Sequence, residues 1–115
     1  MLQKQRSRGD RTSRLRASVF AALGDETRLA LVASLARGHP YSISQLTVGS
    51  RLTRQAIRKH LHVLETAGMV RSVMHGRENR FELRPQQIKE VRQYLEFVSK
   101  QWDEALGRLK MLVER

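Results

Sequence analysis

The stretch LTRQAIRKHLHVLETAGMV, residues 52–70, decides the fold of this chain. Thr53 stands where a helix would begin, and its hydroxyl can accept a hydrogen bond from one of the first backbone N–H groups. Gly68 follows Ala67 at the other end, in the position where glycine commonly terminates a helix. The stretch therefore predicts a single capped helix that runs from Thr53 through Ala67.

This helix has two chemically different faces. Ile57, Leu61 and Leu64 recur at intervals of four and three residues, which predicts one buried side. No acidic residue lies between positions 51 and 62, so the opposite side is basic near its N-terminal end. Because arginine and glutamine can pair with guanine and adenine, respectively, this side could read bases. Its outward residues are Arg54, Gln55, Arg58 and Lys59.

Two longer helices are expected before this stretch. An apolar stripe from Leu15 to Leu23 has helical spacing, and Gly24 ends it. Asp25 can cap a second helix. The side chains expected to form the broad buried face of this second helix are Leu29, Leu31, Val32 and Leu35.

A short helix and a hairpin complete this part of the chain. Ser42 or Ser44 can cap the short helix, which is expected to carry Leu46 and Val48. Residues 70–74 and 80–83 contain β-branched or alternating apolar side chains and predict two strands. The charged residues 75–79 join them, so we expect a β-hairpin with a basic tip.

The last segment carries the most regular apolar pattern of the chain. A helix over residues 86–113 would be about 42 Å long, whereas a domain of this size has a radius of gyration near 13 Å. The surplus apolar edge needs another surface, which favours dimerisation through this helix; the alternative is a helix folded back entirely on its own domain. The stripe alternates steps of three and four residues through Ile88, Val91, Leu95, Val98, Trp102, Ala105, Leu109 and Leu112.

Composition limits the classes of protein to which the chain can belong. With 115 residues, 40% hydrophobic and 29% charged, it has the length and composition of one globular domain. We expect a flexible basic arm over residues 1–13 and the folded domain over 14–115. The longest apolar runs contain only five residues, so we expect no membrane segment and a cytoplasmic location.

The positive charge is large and unevenly distributed. The chain has 22 basic and 11 acidic residues, for a net charge of +11, which points to a polyanionic partner. Residues 1–16 and 51–84 each carry +5, whereas residues 17–50 are neutral and 85–115 carry +1. The second basic segment contains the capped helix and the hairpin, so we expect double-stranded DNA to bind there.

Two helices joined by a tight turn, with the second capped and basic and followed by a hairpin, form the layout of a winged helix-turn-helix. The fold class expected is therefore mainly α with a small β-hairpin and a long C-terminal dimerisation helix. The chain resembles the ArsR-type winged helix-turn-helix repressors of bacteria over about residues 15–112. The stretches that carry this resemblance are ALGDETRLALVASLARG (22–38), LTRQAIRKHLHVLETAGMV (52–70) and MHGRENRFEL (74–83).

The resemblance implies a symmetric homodimer, joined by the first and last helices, that binds a palindromic operator and blocks transcription. The DNA-binding positions that it implies are Thr53, Arg54, Gln55, Arg58, Lys59, Arg77 and Arg80, to which we add His60 as a packing or phosphate contact. The expected dimer interface contains Leu15, Val19, Leu95, Val98, Trp102, Ala105 and Leu109.

The metal-sensing members of this family use cysteine ligands, or acidic and histidine ligands on the last helix. This chain has no cysteine and no histidine after His75, so we expect no metal site and no cofactor, as in the branch that lacks a metal site. His60 and His62 lie two residues apart on a helix and face different directions. No catalytic motif is present either, and we expect no enzyme.

The sequence is also compatible with two other functions. A basic nucleic-acid-binding or nucleoid-type protein could use the same charge without sequence specificity. A regulator could instead use its last helix to bind a different protein. A specific repressor differs from the first alternative in preferring its operator to random duplex by at least ~10³ at physiological salt.

Overall fold

The computed structural model describes residues 17–114; the predicted arm over 1–13 and Leu15 lie outside this range. Among the described residues, 17–84 form one compact unit and 85–114 form a second. The second unit is the helix α5 (Pro85–Val113). The described elements of the first unit are α1 (helical over 17–23), α2 (Glu26–Leu35), β1 (Tyr41–Ser42), α3 (Ile43–Thr47), α4 (Arg54–Thr66), β2 (Val70–His75) and β3 (Glu78–Leu83).

Both predicted ends of α4 are confirmed. The Thr53 hydroxyl accepts a hydrogen bond from the backbone N–H of Ala56 at 3.1 Å. At the other end, Gly68 has a φ of +80°, and the N–H of Met69 donates to the carbonyl oxygen of Leu64 at 2.9 Å. Glycine adopts this left-handed backbone conformation without strain, and the conformation turns the chain from the helix into β2.

The helices α2 and α3 are also capped by side chains. The Asp25 carboxylate accepts a hydrogen bond from the N–H of Arg28 at 3.0 Å, as predicted. Ser42, rather than Ser44, caps α3. Its hydroxyl accepts from the N–H of Gln45 at 3.1 Å, while the Gln45 side chain accepts from the N–H of Ser42 at 2.8 Å. This reciprocal pair explains how a helix of five residues has a defined start.

Two apolar residues of the predicted helices, Leu29 and Val48, differ from the prediction in burial or in position. Leu29 is 52% exposed, because the buried face of α2 is narrow and formed by Leu31 and Leu35. A residue two positions before Leu31 points to the opposite side of a helix. Val48 follows α3 in a non-helical conformation and is 82% exposed, so the short helix ends one residue earlier than expected.

The sheet has three antiparallel strands in the order β1-β3-β2. The strand β1, which is not predicted from the sequence, pairs Tyr41 with Phe81 and Ser42 with Arg80. Two residues are too few to show an alternating pattern, so this strand exists only because β3 lies beside it. Its pairing brings the start of α3 next to β3.

The hairpin formed by β2 and β3, here called the wing, is longer than predicted. His75 pairs with Glu78, so the connection contains only Gly76 and Arg77 instead of residues 75–79. Gly76 has a φ of +63°, which a two-residue hairpin turn requires and glycine adopts without strain. Arg77 therefore lies at the tip of the wing.

The core of the first unit lies between its helices and the sheet. Ile57, Leu61 and Leu64 of α4 are at most 1% exposed, which confirms the inward face predicted for this helix. The other buried apolar residues are Val19, Ala22, Leu31, Leu35, Met69, Val70 and Phe81.

The helix α5 has the predicted extent, with 29 residues and a length of about 43 Å. No residue of α5 is buried, and every residue from 99 to 114 is exposed. The exposed set includes Trp102, at 65%, and Leu109, at 56%. Within residues 17–114, no helix combines the length and apolar character needed to cross a bilayer.

Candidate nucleic-acid interface

The N-terminal half of α4 presents its polar side chains to solvent. Because the helix is anchored by Ile57 and Leu61 on one side, the residues on its other side point outward. The residues of this set that are exposed are Thr53, Arg54, Gln55, Arg58 and Lys59. The structure thus groups five of the sequence-predicted site residues on one helix end, with the positive end of the helix dipole added.

An open cleft of about 400 Å³ connects this helix end to the wing. Arg54 and Arg58 line it from α4, while Glu78 and Asn79 line it from β3. Its remaining lining residues are Ser42, Ile43, Ser44 and Phe81. The cleft therefore combines two guanidinium groups, one carboxylate and several hydrogen-bonding side chains on the same side of the first unit.

The two wing arginines among the predicted site residues, Arg77 and Arg80, have different surroundings. Arg77 is exposed at the tip. Arg80 is half-buried, and its Nε donates a hydrogen bond to Oε1 of Glu78 at 2.6 Å. A second pair of the same type joins Arg71 and Glu82, with an Nε–Oε1 distance of 2.8 Å across β2 and β3.

His60 faces α2 and not the outward side of α4. Its Nδ1 lies 3.3 Å from Nη1 of Arg28 and 3.7 Å from the Asp25 carboxylate. Because a guanidinium can only donate, Nδ1 of His60 is the acceptor side of this contact. Arg28 Nε also donates to the carbonyl oxygen of Ala22, at 2.5 Å. The contacts of His60 thus link α4 to the start of α2.

The hydrogen bond from the backbone N–H of Arg28 holds the pKa of Asp25 below its ordinary value. The positive charge of Arg28 acts in the same direction. The Asp25 carboxylate is therefore ionised at neutral pH, in the form that accepts the helix-capping bond.

The predicted dimer-interface residues divide into two sets. Val19 is 1% exposed and belongs to the core of the first unit, so we remove it from the candidate interface. Burial against its own unit leaves it no surface for a partner. On α5, Val98 is half-buried, and the exposed members of the set are Leu95, Trp102, Ala105 and Leu109.

Three residues of the cleft, Ser44, Glu78 and Asn79, are not among the sequence-predicted site residues. They come together because β1 pairs with β3 and carries the start of α3 to the wing. The charged sequence from His75 to Asn79 signalled a tip but not which side chains would turn toward α4. No group of three or more metal-ligating side chains occurs within residues 17–114.

The chain matches the family model described as "Bacterial regulatory protein, arsR family" over residues 25–72. It is 32% identical to the HTH-type transcriptional regulator Rv2034 of Mycobacterium tuberculosis, in an alignment covering 83% of this chain and 85% of that protein. The segment that matches the family model, residues 25–72, extends from the cap of α2 into β2 and therefore contains α4 completely.

Solved structures agree with this relationship. An ArsR-like transcriptional regulator from Rhodococcus sp. RHA1 is 39% identical, with a TM-score of 0.74 over 88% of this chain and 94% of that one. The homodimeric winged helix-turn-helix DNA-binding domain of Mb0332 from Mycobacterium bovis shares the fold at 20% identity, with a TM-score of 0.65 over 86% of this chain and 88% of that one. The chain belongs to the ArsR family of bacterial transcriptional regulators and has its winged helix-turn-helix fold.

Proposed function

We propose that this ArsR-family regulator is a homodimeric repressor that binds a palindromic operator in double-stranded DNA. It acts by binding, without catalysis or a cofactor, and in the cytoplasm, where bacterial DNA is found. The observation that carries this proposal is the exposed set at the start of α4, which places arginine and glutamine side chains at the end of a helix anchored by a buried face.

In the proposed complex, α4 enters the major groove and its N-terminal residues meet base edges. Arg54, Gln55 and Arg58 are the base-reading residues, because their donors suit guanine and adenine. Thr53 and Lys59 contact phosphates, helped by the dipole of α4. The wing lies beside the groove, where Arg77 at its tip contacts phosphate or the minor groove.

The apolar stripe of α5 supports the homodimer. Leu95, Trp102 and Leu109 are each more than half exposed, and they recur at heptad spacing along a helix of 29 residues. A stripe of this kind is typical of a helix that packs against another helix. The Mycobacterium bovis neighbour is described as homodimeric, which agrees with this assignment. A two-fold dimer requires two half-sites, hence a palindromic operator.

A nonspecific basic nucleic-acid-binding protein is the alternative that shares the same charge. Selection of bound duplexes from a random DNA pool distinguishes the two functions. A repressor of the proposed type enriches a two-fold symmetric motif and prefers it to random duplex by at least ~10³ at physiological salt. Enrichment of no motif would support the nonspecific alternative. Transcription from a promoter that contains the motif should fall when the protein is added; a rise would indicate activation instead of repression.

Base reading and phosphate contact are expected to respond differently to mutation. Arg58→Ala should cost about 1–3 kcal/mol on the selected operator and relax the base preference at one position of each half-site. Arg77→Ala should weaken binding to all duplexes alike and lower the salt slope by about 1 per subunit. Binding curves on operator and random duplex at several salt concentrations measure both effects.

Arg37→Ala is the matched control, because it removes the same charge from an exposed position after α2, outside the proposed interface. It should change neither base preference nor salt slope by a comparable amount. If Arg58→Ala weakened both duplexes equally while Arg77→Ala changed the base preference, the roles of α4 and the wing would be reversed.

Metal ions are not expected to regulate this protein. The chain lacks cysteine, and α5 lacks histidine, so the thiolate and imidazole ligands that Zn²⁺ prefers are unavailable on these elements. Stoichiometric Zn²⁺, or its removal by a chelator, should leave the affinity for the operator unchanged. A tenfold shift in a titration with and without metal would contradict this expectation.

A further inference from the structure

Glu78 places a negative charge in the middle of a cationic surface. Residues 51–84 contain eight basic and three acidic side chains. Of these acids, Glu65 lies near the end of α4 and Glu82 pairs with Arg71. Glu78 alone among the three lines the cleft shared by Arg54 and Arg58. A carboxylate at this position repels phosphate, so it opposes the attraction that the surrounding arginines provide.

The contact between Glu78 and Arg80 has a specific geometry. Arg80 donates through Nε to Oε1 of Glu78 at 2.6 Å, which leaves its terminal Nη1 and Nη2 outside this contact. The ion pair cancels the net charge of Arg80 and restricts its rotamers. The terminal nitrogens keep the planar fork that can bind two acceptors in a fixed direction.

Cancelling the charge of Arg80 and restricting its rotamers have different consequences for specific and for nonspecific binding. Binding to random duplex depends almost entirely on charge, so it weakens when a guanidinium is neutralised and a carboxylate is added. Binding to an operator also depends on directed hydrogen bonds, which gain from a side chain that is already oriented. A neutralised but oriented Arg80 therefore favours the correct duplex over others.

We propose that Glu78 is a specificity-determining residue, which orients Arg80 toward a base edge at the border of each half-site and suppresses binding to noncognate DNA. This inference rests on the proposed DNA-binding function. It assigns Arg80 a role different from that of Arg77, although both arginines lie on the wing. Arg77 contributes positive charge to the interface, whereas Arg80 contributes an oriented hydrogen bond.

The test compares Glu78→Gln with the wild-type protein on the selected operator and on random duplex. On random duplex, the variant should bind about fivefold more tightly per subunit at 0.15 M salt, with a slope steeper by about 1 per subunit. On the operator, the gain in charge is offset by the loss of orientation, so the affinity should change less than twofold. The specificity ratio should therefore fall about fivefold per subunit, and by at least about 2.5-fold if the operator affinity also rises.

Glu82→Gln is the matched control. Glu82 lies on the same strand as Glu78 and accepts a bond of the same type, from Nε of Arg71 on β2, but it does not line the cleft. The substitution removes an equal charge and should leave the specificity ratio within twofold of wild type. Arg80→Ala provides a second readout. It should weaken operator binding at least tenfold while changing random-duplex binding less than twofold, unlike Arg77→Ala.

An equal gain on both duplexes for Glu78→Gln, or no gain on either, would overturn the role of Glu78. A loss with Arg80→Ala that is equal on both duplexes would overturn the directed role of Arg80. The proposed function has a separate test, because its failure would appear in the wild-type protein as the enrichment of no motif. The two inferences therefore fail in distinguishable ways.

Discussion

Trp102→Ala on α5 is expected to weaken the homodimer by about 3 kcal/mol, or roughly a hundredfold in its dissociation constant. The physical reason is that Trp102, 65% exposed in the single chain, would lose a large apolar contact made only with the partner. Light scattering and sedimentation over a range of protein concentrations measure the change. Operator binding should fall in parallel at low protein concentration, because one subunit holds only one half-site.

Phe97→Ala is the control for this prediction. Phe97 is also aromatic, lies on the same helix and is 57% exposed, but it falls outside the heptad stripe. Its removal should weaken the dimer much less than removal of Trp102. A wild-type protein that is monomeric at micromolar concentration would refute dimerisation through α5, and a larger effect for Phe97→Ala would place the interface on another face of the helix.

Leu64→Ala is expected to destabilise the protein by about 2–5 kcal/mol. Leu64 is 0% exposed on the inward face of α4, and its removal would leave a cavity beneath the helix that carries the candidate base-reading residues. This loss is a large fraction of the 5–15 kcal/mol that stabilises a typical domain. Urea denaturation at a fixed protein concentration measures it, because dimerisation makes stability concentration-dependent.

Leu29→Ala makes the same chemical change on α2, where the side chain is 52% exposed. Its cost should be within about 0.5 kcal/mol, as for most surface substitutions. If Leu64→Ala cost no more than Leu29→Ala, α4 would not be held by the packing described here, and the position of its outward residues would need another explanation.

The long helices could be predicted from the sequence because their signals are local. Thr53 and Gly68 mark the ends of α4, and both ends are confirmed by hydrogen bonds within a few residues. The inward face of α4 follows from helical spacing in the same way. The extent of α5 was also predictable, because its apolar period continues over four heptads without interruption.

Burial was less predictable where a helix has more apolar residues than its partners can cover. Leu29 is exposed on α2, and Val19 is buried although it was expected at a dimer interface. Spacing shows that such residues share an element, but only the packing of neighbouring elements decides which of them lose contact with water. Spacing alone also could not show that His60 of α4 contacts Arg28 of α2, because this contact depends on how the two helices pack.

By itself, the sequence determined the capped basic helix, the wing, the long last helix and the concentration of positive charge between residues 51 and 84. These features depend on residues close together in the chain, whose spacing is set by helix and strand geometry. Tertiary structure alone decided that Tyr41 and Ser42 form a third strand and that Glu78 shares a cleft with Arg54. Each of these results joins residues far apart in sequence, and strand pairing with its burial of side chains supplies the free energy that holds them together.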